Sequence, residues 1–152
     1  MHKLPLFILL VFAGYSLSAR SAGPGYNKSL ADSLGADEYG MKMYVFVILK
    51  TGTAVITEKK ITDSLFRGHM ENISRLANSG KLVVAGPMQK NDKNYRGIFI
   101  LNVKTINEAK LLLDTDPAVK SRLLDAELYN WYGSAALSMY LPYHEKVEKI
   151  KP

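Results

Sequence analysis

Ten consecutive residues, Met41 to Lys50 (MKMYVFVILK), are almost all apolar, with β-branched and aromatic side chains dominating. A run of that length and composition reads as a β-strand buried on both faces. It calls for a sheet with material packed above and below it. The rest of the chain can be read for what supplies those layers.

Thr51-Gly52 ends the strand. Asp63 is a good N-cap for a helix predicted from Ser64 to Ser79, where Leu65, Phe66, Ile73, Leu76 and Ala77 recur at helical spacing. Gly80 supplies the left-handed residue that closes it. Lys81–Gly86 (KLVVAG) is a second strand stopped by Pro87, and Gln89–Asn94 is a polar turn. Tyr95–Val103 (YRGIFILNV) is a third strand, antiparallel to the second. Thr105-Ile106-Asn107-Glu108 is a capping box, opening a helix to Asp114 with Ile106, Ala109, Leu112 and Leu113 facing inward. Asp116-Pro117 restarts a short helical piece, with Asp at the N-cap and Pro in the first turn. Glu127–Tyr132 (ELYNWY) is the fourth strand. A tail follows over 134–152, interrupted by Pro142, with one or two helical turns between Tyr143 and Lys149.

The order β-α-β-β-α-β predicts an α+β, ferredoxin-like fold with a four-stranded antiparallel sheet over residues 41–133. Two helices cover one sheet face only. The other face still carries large apolar side chains, and such a face marks an interface. The expected partner is a second copy, the two sheets facing each other to form a homodimer wrapped in part by the tails. A length of 152 residues fits this single domain and leaves little for a second core.

The N-terminus reads as an address. Met1-His2-Lys3 precedes an apolar run from Leu4 to Tyr15, and small residues follow through Ala19. This is the pattern of a secretory signal peptide over residues 1–19, cut at Ser18–Ala19 or Ala19–Arg20, and the run is short for a membrane span. The expectation is a secreted or periplasmic protein with no stable membrane insertion after cleavage. Residues 20–40, with Gly23-Pro24-Gly25, Gly35 and Gly40, form a linker or arm, with room for one or two helical turns before Gly35.

The chain has 20 Lys+Arg against 14 Asp+Glu, a formal charge of +6. Removing residues 1–22 takes away Lys3 and Arg20 and no acidic residue, leaving +4. The basic residues are scattered, whereas a nucleic-acid footprint needs clustering, so no nucleic-acid partner is expected. With no cysteine, disulfides, thiolate catalysis, iron–sulfur clusters and cysteine-bound zinc are excluded. No phosphate loop or dinucleotide fingerprint appears, and His2 and His144 lie in the leader and the tail, so no cofactor and no metal are expected.

The segments GHMENISRLANSGKLVVAGPM, NEAKLLLDTDPAV and ELYNWYG together resemble the YCII-related family of small dimeric ferredoxin-like proteins. The resemblance runs from about Met43 to Tyr132. It rests on the order and spacing of His69, Gly80-Lys81-Leu82, Gly86-Pro87, Asp116-Pro117 and Trp131. It implies a dimeric α+β barrel assembly and a small-molecule site built on the His and the Asp. The leader and the arm depart from the family's bare domains.

His69 sits on the apolar stripe of its helix, three residues after Phe66 and four before Ile73. An imidazole titrates near pH 6.5 when unperturbed and serves as base or acid near neutrality. The carboxylate of Asp116 can hold its second ring nitrogen, as in other His–Asp pairs. Such a pair without a nucleophile suits proton transfer or water activation, in a lyase, isomerase or hydrolase acting on a small polar molecule. Gly86 and Pro87 would let a ligand approach backbone. Arg96 would hold a substrate carboxylate, as would Arg75, and Trp131 would line the pocket.

Each candidate has a structural alternative. His69 can be a core histidine bonded to backbone, Asp116 a helix cap, and Gly86-Pro87 a strand terminator. Arg96 and Arg75 can be solvated charge, and Trp131 core or dimer packing. The alternative to an enzyme is a non-catalytic ligand-binding or dimeric interaction module of the same fold. A haem or dioxygen enzyme of the wider dimeric barrel type is a third reading, by fold analogy alone.

Overall fold

The computed structural model describes residues 23–150, so the expected signal peptide lies outside the described residues. The apolar run becomes β1 (Met41–Thr51), third in a four-stranded sheet of order β2-β3-β1-β4. Its neighbours are β3 (Tyr95–Leu101) and β4 (Leu124–Ser134), both antiparallel to it, and β2 (Leu82–Pro87) pairs antiparallel with β3 at one edge. The fold is α+β and ferredoxin-like, as the element order predicts.

Alternation along β1 sorts the side chains. Val45, Val47 and Leu49 enter the core with Phe99 and Leu101 of β3. Over them lie α2 (Lys59–Asn78), α3 (Ile106–Leu113) and α4 (Pro117–Lys120), which contribute Leu76, Ala109, Leu113 and Ala118. The capping box at the start of α3 forms as read, the Thr105 hydroxyl accepting from Glu108 N–H while the Glu108 carboxylate accepts from Thr105 N–H. On the opposite face Phe46, Ile48, Ile98 and Ile100 stay half-buried.

Boundaries differ from expectation most at three places. Helix α2 starts five residues early, at Lys59, and no side chain caps it. Asp63 is inside the helix, where its carboxylate accepts from Lys59 Nζ at 2.6 Å, an i,i+4 pair, instead of capping. Strand β4 runs from Leu124 because β1 offers eleven residues to pair with, Thr51↔Leu124 through Met41↔Ser134. Pro87 does not stop β2: it pairs with Gly97, and Met88 N–H still donates to Arg96 O. A proline is tolerated there because β2 is an edge strand, bonded on one side only.

The arm is ordered by local chemistry. In α1 (Lys28–Leu34), Asn27 caps the start and Gly35, at φ 68°, closes the end. The Asp37 carboxylate then accepts from the Tyr132 hydroxyl and from Tyr39 and Met41 N–H, tying the arm to β4 and the start of β1. At the other terminus β4 passes into a 3-10 turn (Ala135–Tyr140) and α5 (Leu141–Val147). The Tyr140 hydroxyl donates to the Val83 carbonyl of edge strand β2, bringing this tail against the sheet edge.

Candidate active site

Helix α2 presents His69, Asn72 and Leu76 on its inner face, all buried. The His69 Nδ1 lies 2.6 Å from Asp116 Oδ2. Facing an ionised carboxylate, which only accepts, Nδ1 carries the hydrogen, and in the neutral imidazole Nε2 then carries the lone pair. The second carboxylate oxygen, Oδ1, caps α4 by accepting from Ala118 N–H at 2.9 Å and Val119 N–H at 3.4 Å. Asp116 therefore caps a helix and holds an imidazole at once, and it is fully buried while doing so.

Aromatic packing also holds the ring. The imidazole stacks on Phe99, with centroids 5.9 Å apart and planes 23° apart, and meets the edge of Phe66 at 6.3 Å and 85°. Nε2 has no partner among the described side chains and backbone. No sealed side-chain nitrogen or oxygen among the described residues lacks a partner, so Nε2 is not sealed in the core, and His69 lines a pocket.

A polar chain supports Asp116 from behind. Asn72 Nδ2 reaches Asp116 Oδ2 at 3.4 Å, and Asn72 Oδ1 accepts from the Arg75 guanidinium at 2.6 Å. Arg75 also donates to Thr115 Oγ1 at 2.6 Å, and the Thr115 hydroxyl stands 2.6 Å from the Leu112 carbonyl. Arg75 is thus bonded to α2 and to the residue preceding Asp116, and the structure does not bring it to the pocket as a carboxylate clamp.

The pocket, about 710 Å³, lies between α2, the β2–β3 edge and the tail. Gly86, Pro87 and Arg96 line it together with His69. A side chain at Gly86 would meet nothing within 4 Å, whereas one at Gly97 would stand 2.8 Å from the Gly86 carbonyl. The tight backbone approach is therefore at Gly97. Trp131 does not line this pocket. It sits directly across from Tyr44, their rings 5.6 Å apart, and a Cβ at Gly133 would run into its indole. Strand alternation decides this: Tyr44 and Trp131 share the face that carries Phe46, opposite the helices.

Three residues that matter here were not singled out from the sequence. Asn72 carried a signal, a polar side chain three residues after His69 on an apolar stripe. Thr115 carried none beyond preceding Asp116. His144 was set aside as a tail residue, yet with Tyr140 and Leu141 it lines the same pocket as His69. Burial pushes the Tyr140 phenol up, which keeps its hydroxyl a donor to Val83. Among the described residues no three His, Asp or Glu side chains gather as a metal site.

A sequence model of the YCII-related domain matches residues 43–131, more than half of the chain. Among curated proteins none matches. A solved structure similar in fold is the 5-chloro-2-hydroxyhydroquinone dehydrochlorinase TftG from Burkholderia phenoliruptrix AC1100, in complex with 2,5-dihydroxybenzoquinone. It is 19% identical, the likeness covers 57% of this chain and 92% of that one, and the TM-score is 0.41.

Proposed function

The chain belongs to the YCII-related domain family, and from that premise we propose that it is a small-molecule enzyme in which His69 is a general base positioned by Asp116. The observation that carries this reading is the pair itself: Nδ1 bonded at 2.6 Å to a fully buried carboxylate, with Nε2 left to a pocket of about 710 Å³. Nε2 takes a proton from a C–H or O–H of the ligand, and Asp116 steadies the imidazolium that results. The proton then returns at another atom, or the freed electron pair expels a leaving group. These are an isomerase and a lyase. None of the described lining residues is a serine or threonine, so a covalent hydrolase route of the serine or threonine type is not supported there.

The test reads proton abstraction directly. Purified protein is incubated in deuterium oxide with small carbonyl and carboxylate compounds, and deuterium uptake at carbon is followed by NMR. Exchange in the wild type, lost in a folded His69→Gln variant, supports the base. Ligands that bind with no exchange across the panel favour the non-catalytic binding module.

The same proposal includes export and self-association. Residues 1–19 are cleaved and the mature chain is secreted or periplasmic, which N-terminal sequencing of the mature protein checks. Among the described residues no helix is long and apolar enough to cross a membrane. The open sheet face pairs with a second copy of the chain.

A further inference from the structure

The match to the family model runs to residue 131, yet one wall of the pocket comes from beyond it. We propose that the tail from Ala135 to Val147 completes the site as an anion-binding wall, with His144 and Arg96 taking the acidic group of a small organic anion. This rests on the reading of the pocket as a substrate site and names the class of substrate.

Four observations point this way. The tail is latched, because the Tyr140 hydroxyl is hydrogen-bonded to the Val83 carbonyl. The segment that follows the latch contributes Leu141 and His144 to the pocket lining. The polar side chains around the pocket are Arg96, the Tyr140 phenol and two imidazoles, with no acidic side chain among the described lining residues. Arg96 makes no ion pair among the described residues, so its guanidinium is uncommitted. The remaining wall is apolar, from Phe66, Ile73, Leu82 and Phe99.

A guanidinium and an imidazole N–H over an apolar wall recognise a molecule with an apolar body and one anionic end. A carboxylate or an acidic phenol meets that description, whereas a cation or a neutral sugar does not. Holding the anionic end on Arg96 and His144 leaves the body against Phe66 and Phe99, the two rings that flank His69.

The test uses two fluorescent probes with the same apolar body. 1-Anilinonaphthalene-8-sulfonate carries an anionic group, and N-phenyl-1-naphthylamine lacks it. The wild type is expected to bind the sulfonate roughly tenfold or more tightly than the neutral probe, the scale of a hydrogen bond to a charged group. Arg96→Gln should abolish most of that preference and His144→Gln should reduce it several-fold, with neutral-probe affinity unchanged in both. Both side chains are exposed, so the variants keep the core intact. Equal affinity for the two probes in the wild type, or an unchanged sulfonate affinity in His144→Gln, overturns the proposal. Probe binding requires no turnover, so this failure and the failure of the His69 base are read separately.

Discussion

Gly68 lies against the ring of Pro117, so close that a Cβ on Gly68 would stand 2.9 Å from Pro117 Cγ. That close approach of α2 to α4 lets the residue after Gly68 meet the residue before Pro117, which is the His69–Asp116 pair. A glycine in a helix interior is ordinarily a weakness, and alanine there gains up to about 1 kcal/mol. Here Gly68→Ala is expected to reverse that sign. Overpacking against a proline ring costs about 1–3 kcal/mol and pushes Asp116 away from the imidazole. Urea denaturation together with the deuterium-exchange assay checks this. A Gly68→Ala protein that is more stable and fully active would show that the helix contact does not set the pair.

The double duty of Asp116 separates two variants. In Asp116→Asn, the amide oxygen can keep the cap on Ala118 and Val119, and asparagine caps about as well as aspartate. The amide nitrogen then faces His69 Nδ1 as a donor. That forces the imidazole into the tautomer with its hydrogen on Nε2, and the lone pair leaves the pocket side. Turnover should fall by roughly 10²–10⁴ while stability changes little. Asp116→Ala loses the cap as well, and should be less stable than Asp116→Asn by about 1 kcal/mol. Equal activity in Asp116→Asn and the wild type would remove the carboxylate from the chemistry.

The two halves of this pair were legible for different reasons. His69 stood out because helical periodicity places it on the apolar stripe, and Asp116 because it precedes a proline at a helix start. Their contact, across 47 residues, could be raised from His–Asp chemistry and the family resemblance but not fixed against the core-histidine and helix-cap alternatives, since it depends on α2 meeting α4 at Gly68, a packing event with no local signature. The strands and the capping box at Thr105 were readable from period and cap chemistry. The start of α2 was not, because no side chain caps it and Asp63 was the better cap on paper. His144 was missed because a short amphipathic turn does not say what it packs on. Its place comes from the Tyr140 contact with Val83. Aromatic character left Trp131 between pocket lining and core or dimer packing, because it does not specify a sheet face, whereas its pairing with Tyr44 does.

The arm should release at both ends of the pH scale. Hydrogen bonds from the Tyr132 hydroxyl and from Met41 and Tyr39 N–H hold the Asp37 carboxyl below its usual range, although desolvation opposes them. A lowered acid contributes stability above its unfolded value near 3.8, and loses it as pH falls through the lower folded value. Tyr132 is pushed up from 10.0 to about 12, chiefly by its hydrogen bond to Asp37. A raised phenol contributes below pH 10 and loses that contribution as pH rises through about 12. Backbone hydrogen exchange at Tyr39 and Gly40 should therefore quicken below about pH 4 and above about pH 10, and Tyr132→Phe should quicken it at neutral pH. No change in Tyr132→Phe would mean that this bond does not hold the arm.

The open sheet face gives the last prediction. Phe46 and Ile48 of β1 pair with Ile100 and Ile98 of β3, and all four are only half-buried, with Tyr129 49% exposed beside them. Contiguous apolar side chains on one sheet face are costly to leave in water, at about 25 cal/mol per Å². A second copy presents the same patch, and a two-fold interface requires that self-complementarity. The chain is therefore expected to sediment as a dimer at micromolar concentration. Ile98→Arg, with its charge central on the patch, should convert it to a monomer that keeps its circular dichroism spectrum, because the core on the other face is untouched. The His69–Asp116 pair lies on the helix side, so the monomeric variant should also keep that pair intact. A wild-type chain that is monomeric throughout that range would show that the patch serves something other than self-association.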